Sequence, residues 1–210
     1  KTMLPKLETA FFFFLSSNSG GKTDWTSQKM QGNPGIYIID KPGAAQSTIA
    51  AGVVGIDRSN PDYFAVQIMN SILGGGSSGR LFKNLREDKG YTYGAYSSFS
   101  SRKDAGPFRA GGDFQTGSTK ESVSELMREI AGMSGNIPVT QEELDTNKLS
   151  TINSFPQGFE TVGQISGQLS NLVVYGLPDS YFNDYINKIN AVTIQDVNRV
   201  AKKYLDPSKM

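Results

Sequence analysis

The order in which strand-like and helix-like patterning follows one another is what most constrains this chain. Short β-rich runs interleave with helices as far as Phe114, and every patterned segment after Ser118 is helical. Such an order predicts an α+β domain, with a mixed but mainly antiparallel sheet and helices packed on one of its faces. Strands are expected at 35–40 (GIYIID), 47–56 (STIAAGVVGI), 91–100 and 107–114. Lys41-Pro42-Gly43 is a turn signal between the first two, and the polar stretch 101–106 joins the last two. The first two runs are apolar on both faces, which predicts a covered sheet.

Asn60-Pro61-Asp62 opens the first long helix, with Asn as N-cap, Pro at the first helical position and an acid in the first turn. Phe64, Ala65, Ile68, Met69, Ile72 and Leu73 recur at helical spacing and form its buried stripe, and Gly74-Gly75-Gly76 stops it. A shorter helix is expected over 77–88, with Leu81, Phe82 and Leu85 on one side. Further helices are expected over 119–133, 140–155, 159–175, 180–189 and 193–204. Thr140-Gln141-Glu142-Glu143 has the spacing of a capping box, and Thr193-Ile194-Gln195-Asp196 is a weaker one. At the start, 1–15 reads as a short helix containing the run Phe11 to Phe14, and 16–34 as a polar connector carrying Trp25.

Composition narrows the chemistry. The 210 residues contain neither cysteine nor histidine, so this chain alone builds no disulfide, thiolate nucleophile, Ser-His-Asp triad or His-based zinc site. Its 21 basic and 20 acidic residues leave a net charge of +1, no electrostatic footprint for nucleic acid or an anionic membrane. No apolar run reaches the roughly 18–20 residues of a membrane-spanning helix.

The stretch 73–96 (LGGGSSGRLFKNLREDKGYTYGAY) is the most informative. Its glycines lack the G-x-x-x-x-G-K-[ST] spacing of a phosphate loop, and Gly74 follows a helix rather than a strand. A flexible joint between helices explains them better than a nucleotide site. Glu87, Asp88, Glu142, Glu143 and Asp145 lie near helix ends, where capping and solvation account for them. Tyr91, Tyr93, Tyr96 and Phe99 offer stacking surfaces but no accompanying basic stripe. Gly111-Gly112 within a strand pattern predicts a bulge or a close backbone approach.

A helix, then LGGG-S-S-G-R-L-F, then L-R-E-x-K-G-x-x-Y, then a strand resembles the non-zinc, carboxy-terminal half of the pitrilysin/insulinase family of zinc peptidases. The likeness continues in Lys41-Pro42-Gly43-Ala44-Ala45-Gln46-Ser47, Val139-Thr140-Gln141-Glu142-Glu143-Leu144 and Val192-Thr193-Ile194-Gln195-Asp196-Val197. In that family one half carries His-x-x-Glu-His and the other supplies an Arg and a Tyr seven residues apart, the separation of Arg86 and Tyr93. The resemblance implies a processing-peptidase-like metallohydrolase domain over 35–210. Residues 1–34 would be the end of a preceding domain, and the chain would stop before a last strand.

It also implies that Arg86 and Tyr93 contact substrate or transition state, that Gly74, Gly75 and Gly76 shape part of a chamber wall, and that this chain binds no metal. Zinc is expected on a homologous partner half, in the same polypeptide or another subunit, with an unfolded peptide as substrate. Alone, the chain should hydrolyse nothing. A bacterial periplasm or cytoplasm is the implied setting. An Arg fork and a Tyr hydroxyl need no titration to steady charge on a carbonyl oxygen, a contribution of roughly 2.7–4 kcal/mol per donor at a transition state. The alternative is a catalytically silent relative that serves as an assembly scaffold.

Overall fold

The computed structural model describes Pro5, Lys6, Thr9 and residues 33–210. Of the helix expected at 1–15 only Pro5, Lys6 and Thr9 are described, each helical, while its Phe run and all of the connector except its last two residues lie outside the described residues. Three strands, β1 (Gln46–Val54), β2 (Thr92–Phe99) and β3 (Pro107–Gln115), form a sheet in the order β1-β3-β2. Both pairings are antiparallel, so no parallel pairing of the expected mixed sheet occurs among the described residues. Helix α1 (Tyr63–Gly74) and the short α2 (Arg80–Phe82) separate β1 from β2. After β3 come α3 (Thr119–Ser134), α4 (Gln141–Ser154), α5 (Val162–Tyr175), α6 (Tyr181–Ala191) and α7 (Ile194–Tyr204).

The predicted stripe of α1 is the centre of the core. Ile68, Met69, Ile72 and Leu73 are buried, in one cluster with Ala95, Phe108, Ala110 and Phe114 from the sheet. Leu126, Ile130 and Met133 of α3 and Val197, Val200 and Ala201 of α7 complete it. Each large side chain so buried contributes about 1.5–3 kcal/mol.

Among the described residues only one face of the sheet is covered. Phe108, Ala110 and Phe114 point inward, whereas Arg109, Asp113, Tyr93 and Tyr96 are exposed on the other side. This bears out the helices expected on one face and corrects the covered sheet expected from the first two apolar runs. The run STIAAGVVGI looks apolar on both faces because its outward positions include Ala50 and Gly52, which are small rather than core-forming.

The strand expected at 35–40 does not form. Ile36, Tyr37, Ile38 and Ile39 are exposed, and no strand among the described residues pairs with them. The residues have strand composition, but a strand also needs a neighbour to take its backbone hydrogen bonds.

Two polar clamps tie the helices together. Asp62, before α1, receives Arg199 at 2.8 Å and Lys203 at 2.9 Å from α7, and the Tyr204 hydroxyl at 2.7 Å. Burial raises the Asp62 pKa, but the hydrogen bonds from Lys203, Tyr204 and Arg199 prevail and hold it at about 2. Arg80 grips both Glu143 oxygens at 2.7 Å and donates to the carbonyls of Ile137 and Pro138. Thr140 and Thr193 close capping boxes as expected, and Thr161 with Gln164 closes a third at the start of α5.

Candidate functional site

Two backbone irregularities present Arg86 and Tyr93. The helix begun by α2 continues as a π-helix over Lys83–Asp88, in place of the uniform α-helix expected over 77–88. Its wider turn is visible in the Lys89 N–H, which donates to the Asn84 carbonyl at 3.0 Å. Leu85 stays fully buried while Arg86 emerges at the surface. Asn84 anchors the segment: it is buried, and its Nδ2 donates to Glu125 at 2.9 Å and Glu129 at 2.6 Å on α3. The chain then reverses at Gly90, whose φ of 65° suits glycine, and enters β2.

The second irregularity is a bulge. Thr92 lies opposite Phe114 and Ala95 opposite Gly112, so β2 takes three steps where β3 takes two. The extra residue falls at Tyr93-Gly94, and Tyr93 is left 85% exposed. Thr92 holds the distortion, since its Oγ1 donates to the Asp113 carbonyl at 2.5 Å and accepts from the Gly94 N–H at 3.1 Å. The Arg86 Cζ lies 6.0 Å from the centroid of the Tyr93 ring, the outer limit of a cation–π contact. Neither side chain makes a hydrogen bond or ion pair among the described residues. The result is one guanidinium and one phenol hydroxyl, adjacent and free to donate to a carbonyl oxygen.

The glycines differ among themselves. Gly74 is buried where α1 meets β2, and a Cβ there would lie 2.6 Å from the Ser97 nitrogen. Its role is close packing between helix and strand. Gly75 is exposed and Gly76 half-buried, with open space where a Cβ would stand on Gly76. Glu143 is committed to Arg80 and the Thr140 cap; burial raises its pKa, but those hydrogen bonds lower it overall. Gly111 makes the close approach expected of it: at φ 155° its Cβ would stand 1.9 Å from the Ile49 carbonyl oxygen.

Among the described residues no group of three or more His, Cys, Asp or Glu side chains is placed to hold a metal ion. With no imidazole or thiolate in the whole chain, its donor set does not fit a zinc centre. No helix among the described residues is long and apolar enough to cross a membrane.

Sequence reasoning missed a cluster around Arg58. This residue follows β1 and lies over the Tyr63 ring, 3.7 Å from its centroid, with Tyr181 at 5.0 Å and Tyr175 at 5.9 Å. The signal was scattered over more than a hundred residues, with no local spacing to reveal it.

Comparison with known proteins agrees with this fold. A family model described as the peptidase M16 inactive domain matches residues 1–150. The uncharacterized zinc protease YmxG of Bacillus subtilis is 29% identical over 168 residues, covering 79% of this chain and 40% of that protein. A non-peptidase homolog YmxG from Helicobacter pylori is 28% identical over 146 residues, covering 69% of this chain and 33% of its own length. The crystal structure of a peptidase M16 inactive domain from Pseudomonas fluorescens superposes with a TM-score of 0.73 at 33% identity, over 79% of this chain and 40% of that one. The chain thus spans about 40% of the length of the zinc protease it resembles. With a matching family model over most of its length and the same sheet-and-helix architecture, the chain belongs to the peptidase M16 inactive-domain family, a non-catalytic domain of the zinc protease family.

Proposed function

We propose that this domain closes the substrate chamber of a zinc metallopeptidase and presents Arg86 and Tyr93 to an unfolded peptide. The observation that carries this reading is the joint exposure of the two side chains by a π-helix and a bulge, each secured by its own buried anchor. A guanidinium fork and a phenol hydroxyl, both without hydrogen-bond partners among the described residues, suit peptide carbonyl oxygens and the charge that grows on one during hydrolysis. Gly75 and Gly76 contribute wall where a side chain would narrow the space. The zinc belongs to a homologous half, in the same polypeptide or in a partner subunit, and this chain is inert without it.

A covered interface is supported by α5. Val162, Ile165, Leu169 and Val173 form an exposed apolar stripe on a helix with no charged residue, a surface suited to another protein body. The test uses the full-length protein with a quenched fluorescent peptide. Arg86→Ala and Tyr93→Phe should each lower kcat/KM by about 10²–10³-fold. Unchanged activity in both variants overturns the proposal.

The second reading, an assembly scaffold without peptidase function, is favoured by the non-peptidase name of the H. pylori relative. It predicts a full-length protein with no peptidase activity. The unpartnered Arg86 and Tyr93 weigh against it, because a scaffold gains nothing from holding both donors in solvent.

A further inference from the structure

We infer that the cleft between α1, α5 and α6 binds a carboxylate carried beside an apolar side chain of a peptide, an inference that rests on the peptide-handling role proposed above. The cleft has a volume of about 340 Å³ and lies at the Phe99 end of β2. Six residues separate Phe99 from Tyr93, so the two sites are about 20 Å apart along the strand.

Two observations point to an anionic ligand and a third to the peptide that carries it. First, Arg58 lines the cleft without a carboxylate partner among the described residues. The comparison with Arg80 is direct, since that similarly half-buried guanidinium is gripped by Glu143. The flat face of Arg58 is occupied by Tyr63, and one edge donates to the Tyr181 hydroxyl at 2.5 Å. The remaining edge N–H groups are available, and their fork geometry matches a carboxylate. Second, no acidic side chain lines the cleft, so the Arg58 charge is not cancelled there.

Third, α5 is turned inside out. Gln168, Asn171 and Tyr175 face the cleft, whereas Leu169 and Val173 face solvent. A helix packed only to fill a core would do the reverse. Its amides stand where they can meet a peptide backbone. Phe155 and Tyr185, stacked at 4.4 Å, provide an apolar wall for a side chain next to the carboxylate.

The carboxylate can come from the end of a peptide or from an internal acidic side chain. Fluorescence anisotropy of this chain with a short unstructured peptide ending in Phe-Leu separates the sources. One arm compares the free acid with the carboxy-terminal amide, and another replaces an internal Glu by Gln. Wild type should lose about tenfold in affinity in one of these arms, and the arm affected names the source. Arg58→Gln should abolish that difference. Arg58→Lys, which keeps the charge and loses the fork, should retain part of it, showing that the loss comes from recognition and not from misfolding.

Equal binding of all three peptides by wild type, or no binding, overturns the inference, as does an acid preference that survives Arg58→Gln. The acid preference is read at Arg58 by binding and the proposed function at Arg86 and Tyr93 by peptidase activity, so failure of this inference is distinguishable from failure of the proposed function.

Discussion

Replacing Asp62 by Asn should remove a pH-dependent part of the folding free energy. The carboxyl is raised by burial but lowered more by Lys203, Tyr204 and Arg199, and falls from 3.8 to about 2. At 1.36 kcal/mol per unit, this is worth about 2–3 kcal/mol at neutral pH. Arg199 and Lys203 keep 50% and 56% of their side-chain surface in water, and solvent screening lowers the expectation to about 2 kcal/mol. The group binds its proton more weakly in the folded than in the unfolded chain. Its contribution is therefore complete above the unfolded value near 4 and is lost as pH falls through the folded value near 2. About half should remain at pH 3. The assay is urea unfolding of wild type and Asp62→Asn at a series of pH values, with both variants checked for equal m-values. A gap absent at pH 7, or one that stays constant down to pH 3, would refute the reasoning, because either would mean the carboxylate charge is not what joins α1 to α7.

Arg80→Lys keeps the charge but cannot hold both Glu143 oxygens and two carbonyls at once. It should cost about 1–3 kcal/mol in the same unfolding assay, and a loss below ~0.5 kcal/mol would mean that the clamp is dispensable. Gly111→Ala places a Cβ against the Ile49 carbonyl at a φ that L-residues rarely adopt. A fall in stability of about 3 kcal/mol is expected, and an unchanged Tm would contradict the close β1–β3 approach. Arg86→Ala removes an exposed side chain without hydrogen-bond partners among the described residues, so its unfolding free energy should change by less than ~0.5 kcal/mol while peptidase activity of the full-length protein collapses.

Much of the fold was legible because it depends on local pattern. The α1 stripe, the three paired strands and the caps at Thr140 and Thr193 follow from spacing that any short window contains. The errors arose where a segment depends on a distant neighbour. The run 35–40 has strand residues but no described strand beside it, and β1 looks apolar on both faces because Ala50 and Gly52 are small. Arg58 and Asp62 were invisible as sites for the same reason: their partners on α6 and α7 lie more than a hundred residues away. Arg86 and Tyr93 could be picked out from their separation and a family resemblance, but nothing in LREDKGYTY announces the π-helix or the bulge.

Those two irregularities are the strongest structural support for the presentation proposed for the pair. A regular helix and a regular strand would be the default for these residues, and each departure gives up backbone hydrogen bonds or strand register. Both departures are held from within. Asn84 leaves its own Oδ1 buried without a partner in order to reach two carboxylates of α3, an arrangement that costs about 1–3 kcal/mol for the orphaned acceptor. Thr92 turns its hydroxyl back into the ladder at the step where the register slips. A loop would have exposed Arg86 and Tyr93 more simply, but it would not have fixed their relative position. A π-turn and a bulge on either side of Gly90 fix both, and the adjacent pair they turn to solvent is the one proposed to meet a peptide.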